Sequence, residues 1–265
     1  MTGPVTRVRK SLWRRLPTAL RLRVRALVEW AVDLGRGEWY SQFGEDAVLQ
    51  AYFETRAWKT GQSTPFLRRA RYSKGFYVDV GAFSPKRFSN TYAFYRLGWR
   101  GITVEPTPGS LRGFKLSRPR DVSLEVAISN QPGMITFFCW DAPCVVNTVS
   151  EREAERIAWE TGVEPRRITV PAVTLADLLT THVPAGTSID LLSIDVEGHE
   201  LEVLMSNDWS RFRPDVVVVE QHADSLEQMV RGGAVQYLRE RQYALHACVP
   251  PSVILVRRDE GAAIT

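Results

Sequence analysis

The chain has 265 residues, enough to bury a full core, and is expected to form one domain of about 220 residues plus an extension rather than two domains. Its net charge of +4 is unevenly spread: residues 1–38 hold nine Arg or Lys against three acids, and the remainder holds 25 basic against 27 acidic residues. The basicity belongs to the extension, which excludes a nucleic-acid-binding surface on the body. Cys139, Cys144 and Cys248 are irregularly spaced, give neither a disulfide framework nor a zinc pattern, and fit the free thiols of a cytosolic protein. No apolar run approaches the roughly 20 residues of a membrane span, the N-terminus shows no signal-peptide core, and no repeat or low-complexity tract is present.

Taken in chain order, Trp13, Leu16, Leu20, Val24, Leu27, Ala31 and Leu34 recur at steps of three and four, one helical seam. Pro17 suits a first turn, Gly35 and Gly37 follow the end, and Arg21, Arg23 and Arg25 lie largely off the seam. Residues 1–38 are therefore expected to be a basic amphipathic helical extension to a domain over 39–265. Such a helix packs on the domain or a partner subunit, as in a homodimer, or lies on an anionic membrane, giving peripheral contact at its inner face. Next, YSQFGED (Tyr40–Asp46) leads into a helix through Val48, Leu49, Tyr52 and Phe53, with Ser41 as a cap and Glu45 and Asp46 in the first turn. Thr60–Lys74 is Gly-, Ser- and Arg-rich and is predicted to be a loop.

The stretch Gly75–Pro106 organises the rest. Phe76–Val80 is an apolar run carrying one acid, Asp79, and ending at Gly81, which suits a buried strand. A partly apolar helix through Tyr92, Phe94, Tyr95 and Leu97 stops near Gly98, and Ile102–Val104 is a second strand closed by Glu105. Strand, glycine turn, helix and strand ending in an acid is the layout of a nucleotide-binding βαβ unit, in which that acid accepts from ribose hydroxyls. Gly81 stands alone, without the helix-opening glycines that seat a pyrophosphate, so a dinucleotide is disfavoured and a phosphate-free nucleoside ligand such as S-adenosylmethionine fits better.

Pro108–Leu116 is predicted helical and Val122–Ile128 a strand, with Met134–Phe138 as its hairpin partner. Ala142–Thr169 is a charged helical piece (Glu151–Trp159) between irregular ones, either a lid or plain surface. A short helix from Leu175 precedes IDLLSIDVEGHELEVL, in which Ile189–Ile194 is a buried strand with Asp195 at its carboxyl end, where ligands bind in open α/β sheets. Val216–Val219 repeats the pattern, ended by Glu220 with Gln221 and His222 following. Leu226–Leu238 is expected to be one helix, and Tyr243–Val249 and Val253–Val256 a closing hairpin. The fold class is thus α/β: a doubly wound, mostly parallel sheet with an antiparallel edge.

Asp79, Glu105, Asp195 and Glu220 would meet along one edge of that sheet, a comfortable setting for a cationic sulfonium cofactor. Methyl transfer to oxygen needs an acceptor hydroxyl in line with the methyl group and a group that takes its proton. His199 or His222 is a candidate base; a magnesium ion on Asp195, Glu197 and Glu220 is the alternative activator.

YSQFGED, GFYVDVGAFSP, SNTYAFYRLGWRGITVEPTP, VAISN and LLSIDVEGHELEVL, in that order, resemble the FkbM family of S-adenosylmethionine-dependent methyltransferases over Tyr40–His222. The resemblance implies a Rossmann-like class I methyltransferase fold, seven strands with the last antiparallel, and O-methylation of a hydroxyl on a saccharide or similar natural product. It puts Asp79, Gly81 and Glu105 at cofactor positions and Asp195 near the methyl donor. Ser41, Gln42 and Asp46 fall on a family motif drawn over the cofactor, and Asn90 on another motif position. The rivals at this point are a non-catalytic subunit of the same fold and a sugar-nucleotide oxidoreductase.

Overall fold

The computed structural model describes residues 39–59, 74–140 and 144–258. The expected helix over 1–38, its boundary with the domain, and all of the Thr60–Lys74 loop but Lys74 lie outside them. The elements are α1 (Glu45–Lys59), β1 (Phe76–Val80), α2 (Tyr92–Arg96), β2 (Arg100–Val104), α3 (Leu111–Ser117), β3 (Val122–Leu124), β4 (Ala127–Ile128), β5 (Gly133–Cys139), α4 (Glu151–Thr161), β6 (Arg166–Val173), α5 (Leu175–His182), β7 (Leu191–Ile194), α6 (Glu200–Met205), β8 (Val216–Glu220), α7 (Leu226–Met229), α8 (Gly233–Glu240), β9 (Tyr243–Val249) and β10 (Ser252–Arg257). Among the described residues, no helix is long and apolar enough to cross a membrane.

Seven strands form the main sheet in the order β3-β2-β1-β7-β8-β10-β9. β1 pairs in parallel with β2 and β7, and β7 with β8, so the most apolar runs are the most interior. β10 is antiparallel to β8 and to β9, as a closing hairpin requires. The last strand, β10, is thus the reversed one, and with β9 it forms the antiparallel edge that the sequence leads one to expect. This is the Rossmann-like sheet of class I methyltransferases.

Side chains alternate across the central strands with period two and feed two cores. Val78, Val80, Ile102, Val104, Leu192, Ile194, Val217 and Val219 pack on one face against α5, α6 and α8. Tyr77, Leu191, Val216 and Val218 pack on the other against Leu49 and Phe53 of α1 and Phe94 of α2. Asp79 shares the face of Tyr77, and its sheet neighbours are polar too, Thr103 on β2 and Ser193 on β7. That placement decides what Asp79 can touch.

Three expectations are corrected. Val122–Ile128 is not one strand: Val122–Leu124 ends the main sheet, and Ala127–Ile128 crosses into a second sheet of order β4-β6-β5. The hairpin partner of Met134–Phe138 is Arg166–Val173, not the preceding segment, so the end of the supposedly irregular Ala142–Thr169 stretch is strand. The helix expected over Leu226–Leu238 is two, because Gly232 caps a fresh start at Gly233.

Candidate active site

The carboxyl ends of β1, β2 and β7 border a cleft walled by Phe83, Phe88, Val104 and Val126. Gly81 closes β1 with φ +78°, and a Cβ there would overlap the main-chain oxygen of Asp195. Gly81 and Ala82 both donate their amides to the Val104 carbonyl, at 2.9 and 3.0 Å, which draws the turn across the ends of β2 and β7. Only glycine allows both the conformation and the approach.

Glu105 lines the cleft at the end of β2. Its Oε2 accepts from the Phe83 amide at 2.8 Å and its Oε1 from the Thr107 amide at 2.9 Å, so two loops fix the carboxylate. Burial pushes its pKa up, opposed by those amides. Each oxygen keeps acceptor capacity, as binding a ribose hydroxyl requires. Glu105, Asp195 and Glu197 line the cleft and no arginine or lysine does among the described residues. With Val104, Pro106 and Phe83 beside them, these residues suit an apolar base and a cationic sulfonium and do not suit a pyrophosphate.

Asp79 lies outside this lining, on the face toward α2. Its Oδ2 accepts from Thr91 Oγ1 at 2.5 Å, with Arg118 Nη1 at 3.9 Å. Arg118 is fully buried. It donates to Asp121 at 2.8 Å, Thr91 at 2.8 Å and Ser89 at 3.3 Å. Its guanidinium also lies over the Tyr77 and Tyr95 rings. Burial raises the Asp79 pKa, and Arg118 opposes it. Asn90 also points to the sheet, donating to Ser193 Oγ at 3.1 Å. Gln42 does line the cleft, whereas Asp46 holds the turn that carries it, accepting from the Tyr40 amide at 2.7 Å and Ser41 Oγ at 2.5 Å. Burial lifts Asp46 to a pKa of about 6.

Asp195 ends β7 and lines the cleft, followed by a turn with Glu197 at φ +55° and Gly198 at φ +91°. Glu200 braces that turn, its Oε1 accepting from the Val196 amide at 3.2 Å and the Gly198 amide at 3.1 Å. Glu197, Glu220 and His222 converge, with His222 Nε2 at 3.3 Å from Glu220 Oε2 and 3.9 Å from Glu197 Oε2. Burial and then the Glu220 charge push Glu197 up to about 8, and the same two influences raise Asp195. The Glu220 carboxylate holds His222 up at about 9. His199 is turned elsewhere, its Nε2 at 3.2 Å from Ser129 Oγ, with burial lowering its pKa.

Residues 79–245 match the methyltransferase FkbM domain. The chain belongs to the FkbM methyltransferase family. No curated protein matches it. Solved structures similar to this FkbM protein include precorrin-6y C5,15-methyltransferase from Geobacter metallireducens GS-15, at 14% identity over 71% of this chain and 81% of that one, TM-score 0.34. Aeropyrum pernix fibrillarin with bound S-adenosyl-L-methionine is 11% identical over 76% and 74%, TM-score 0.40. A TehB-like S-adenosylmethionine-dependent methyltransferase from Corynebacterium glutamicum ATCC 13032 Kitasato is 9% identical over 80% and 100%, TM-score 0.35. As an FkbM enzyme the protein is an S-adenosylmethionine-dependent methyltransferase.

Two parts of the FkbM cleft escaped sequence reasoning. Phe83 and Phe88 line it as a stacked pair, centroids 6.2 Å apart, and both have positive φ. For bulky side chains that backbone is an outlier, held at Phe83 by its bond to Glu105. The two Phe flanking Ser-Pro were the available signal. The other part is 144–149, from the stretch that sequence left between lid and surface. Asn147 and Thr148 line the cleft, and Thr148 Oγ1 donates to the Glu197 carbonyl at 2.7 Å. That segment is cleft wall tied to the acidic turn.

Proposed function

We propose that this enzyme methylates oxygen, using a hydroxyl of a saccharide or glycosylated natural product as acceptor. The observation that carries the reading is the group of titratable side chains, Asp195, Glu197, Glu220 and His222, beside a cleft suited to the methyl donor. When bound, S-adenosylmethionine supplies an electrophilic methyl group. Glu105 would hold the ribose, with Gly81 leaving room for close backbone approach and Gln42 closing over. Asp195 is the carboxylate placed to take the acceptor proton, and its raised pKa makes it a stronger base than an ordinary carboxylate. His222, the other base expected from sequence, is held at about 9 by Glu220 and so would act as a base only above neutral pH; His199 is bonded toward Ser129. Magnesium on Asp195, Glu197 and Glu220 is the form of metal assistance expected from the sequence.

The first experiment is calorimetric titration with S-adenosylhomocysteine. Wild type should bind at micromolar Kd, about −8 kcal/mol, and Glu105→Ala should lose that binding. Acceptor screening against sugars, with Asp195→Asn as control, follows. A folded protein without affinity for the ligand would move the weight to a non-catalytic subunit. A separate proposal, supported by the net +6 of residues 1–38, is docking of that segment on anionic membrane. Full-length protein that fails to sediment with anionic liposomes at low salt would end it.

A further inference from the structure

The mixed donor group at the ends of β7 and β8 goes beyond a pair of candidate bases. One oxygen each of Glu197 and Glu220 and one ring nitrogen of His222 lie within 4.8 Å of one another. Donors adjacent on a coordination sphere of about 2.1–2.2 Å radius are separated by roughly 3–3.5 Å. The His222 distances of 3.3 and 3.9 Å to the two carboxylates are therefore close to those of ligands around one ion. A second observation points the same way. Glu220 Oε2 is buried, with the side chain only 11% exposed, and its contact with His222 Nε2 at 3.3 Å does not reach hydrogen-bond geometry. A buried carboxylate oxygen whose nearest donor is a misaligned, half-exposed imidazole is poorly compensated, and a cation between the two would satisfy both. No Arg or Lys pairs with Glu197 or Glu220 among the described residues; their ion pairs are with His222, which is itself 57% exposed.

We propose that Glu197, Glu220 and His222 form a divalent-metal site that takes a first-row ion of the manganese(II) kind in preference to magnesium and presents it to adjacent hydroxyls of the acceptor. The donor set differs from the one expected from sequence, with the imidazole of His222 in place of the Asp195 carboxylate. That substitution sets the metal class. Magnesium demands oxygen donors and releases water reluctantly, whereas an imidazole beside two carboxylates suits a softer first-row ion. Three protein ligands leave open positions, and two neighbouring sugar hydroxyls can fill two of them. A hydroxyl on such an ion has a lowered pKa, and its proton then passes to Asp195, which lines the same cleft and is not needed as a ligand. The acceptor half of this inference rests on the saccharide reading above; the metal half does not.

The test is titration of the full-length protein with manganese(II) without acceptor, following free ion by electron paramagnetic resonance. S-adenosylhomocysteine calorimetry on the same sample separates failure of the metal site from failure of the methyltransferase reading. Wild type should take up one manganese(II), His222→Ala and Glu220→Gln should each weaken it at least tenfold, and magnesium should displace it only in large excess. His222→Ala is a substitution at a half-exposed position, so the fold should survive, and circular dichroism checks this. Three results overturn the proposal: no uptake by the wild type, uptake indifferent to both variants, or displacement by equimolar magnesium. If uptake is confirmed, vicinal diols should sharpen or shift the bound-manganese spectrum and mono-hydroxyl sugars should not. Equal responses from both would remove the acceptor half alone.

Discussion

The two ends of the ligand-binding edge use acids in opposite ways. At the β1 and β2 end, each buried acid has fixed partners: Glu105 two backbone amides, Asp79 the Thr91 hydroxyl and the Arg118 guanidinium, Asp121 the Tyr77 hydroxyl and Arg118. At the β7 and β8 end, Asp195, Glu197 and Glu220 crowd together with one half-exposed imidazole for compensation. Satisfied buried charges hold a shape, whereas crowded ones wait for a cation or a proton. An acid at a strand end is thus not one kind of feature. What faces it decides whether it builds or binds.

The largest effect should come from breaking the satisfied end. Arg118→Met strands Asp79 and Asp121 in the core, and removing one partner of a buried ion network costs about 3–5 kcal/mol. Denaturant unfolding should show that loss. By contrast Glu220→Gln removes repulsion, and the same measurement should find stability unchanged or raised while methyl transfer falls. If Arg118→Met proves as mild as Glu220→Gln, the contrast between the two ends collapses.

The sheet and its acidic edge were legible because central strands announce themselves as Val-, Ile- and Leu-rich runs and because Asp195 and Glu220 directly follow such runs. The direction of Asp79 was not. It follows from the phase of a five-residue strand in which Tyr77 and Asp79 share one face, and almost every other residue is apolar whichever way it points. Arg118 sits in a polar SRPRD stretch, with nothing local to reveal that Tyr77, far back in the chain, lies beneath it. The second sheet was hidden for a similar reason. Ala127–Ile128 is too short to declare a strand, and its partner Ala172–Val173 lies beyond a helix. His222 was visible as a base candidate, yet its company with Glu197 depends on how the turn after β7 folds back.

Titration gives an intermediate effect and probes the crowded end directly. Glu197 at about 8 and Glu200 at about 7 both lie above the ordinary glutamate value of 4.5, and His222 at about 9 lies above 6.5. Each raised group binds protons more tightly folded than unfolded. The stability they contribute is complete below the unfolded values, and it is lost as pH rises through 7 to 9. The melting temperature of the metal-free protein should therefore fall between pH 6 and pH 9. Glu197→Gln should flatten that slope, and Asp46→Asn should not, because Asp46 at about 6 has already ionised over most of the window. A slope identical in Glu197→Gln would mean that the repulsion is relieved elsewhere.

The smallest effect concerns the wall that joins the crowded turn to the second sheet. Thr148 is buried, donates to the Glu197 carbonyl at 2.7 Å and accepts from the Ser150 amide at 2.9 Å. Valine has nearly the same shape and can do neither, so Thr148→Val leaves the part-buried Glu197 carbonyl and Ser150 amide without these bonds, at about 1–2 kcal/mol. Thr148→Ser keeps both bonds and should recover most of that loss, which separates the hydroxyl from the packing of the methyl group. The backbone of Thr148 stays bridged to Phe138, with amide-to-carbonyl distances of 2.8 and 3.1 Å, so the wall should loosen without detaching. The outcome expected of Thr148→Val is a modest fall in stability with manganese(II) uptake weakened severalfold, because the hydroxyl acts on the main chain of a metal-binding residue. Stability lost with uptake untouched would show that the side chain of Glu197 is held by its own turn, through Glu200 and Gly198, and that the wall only borders it.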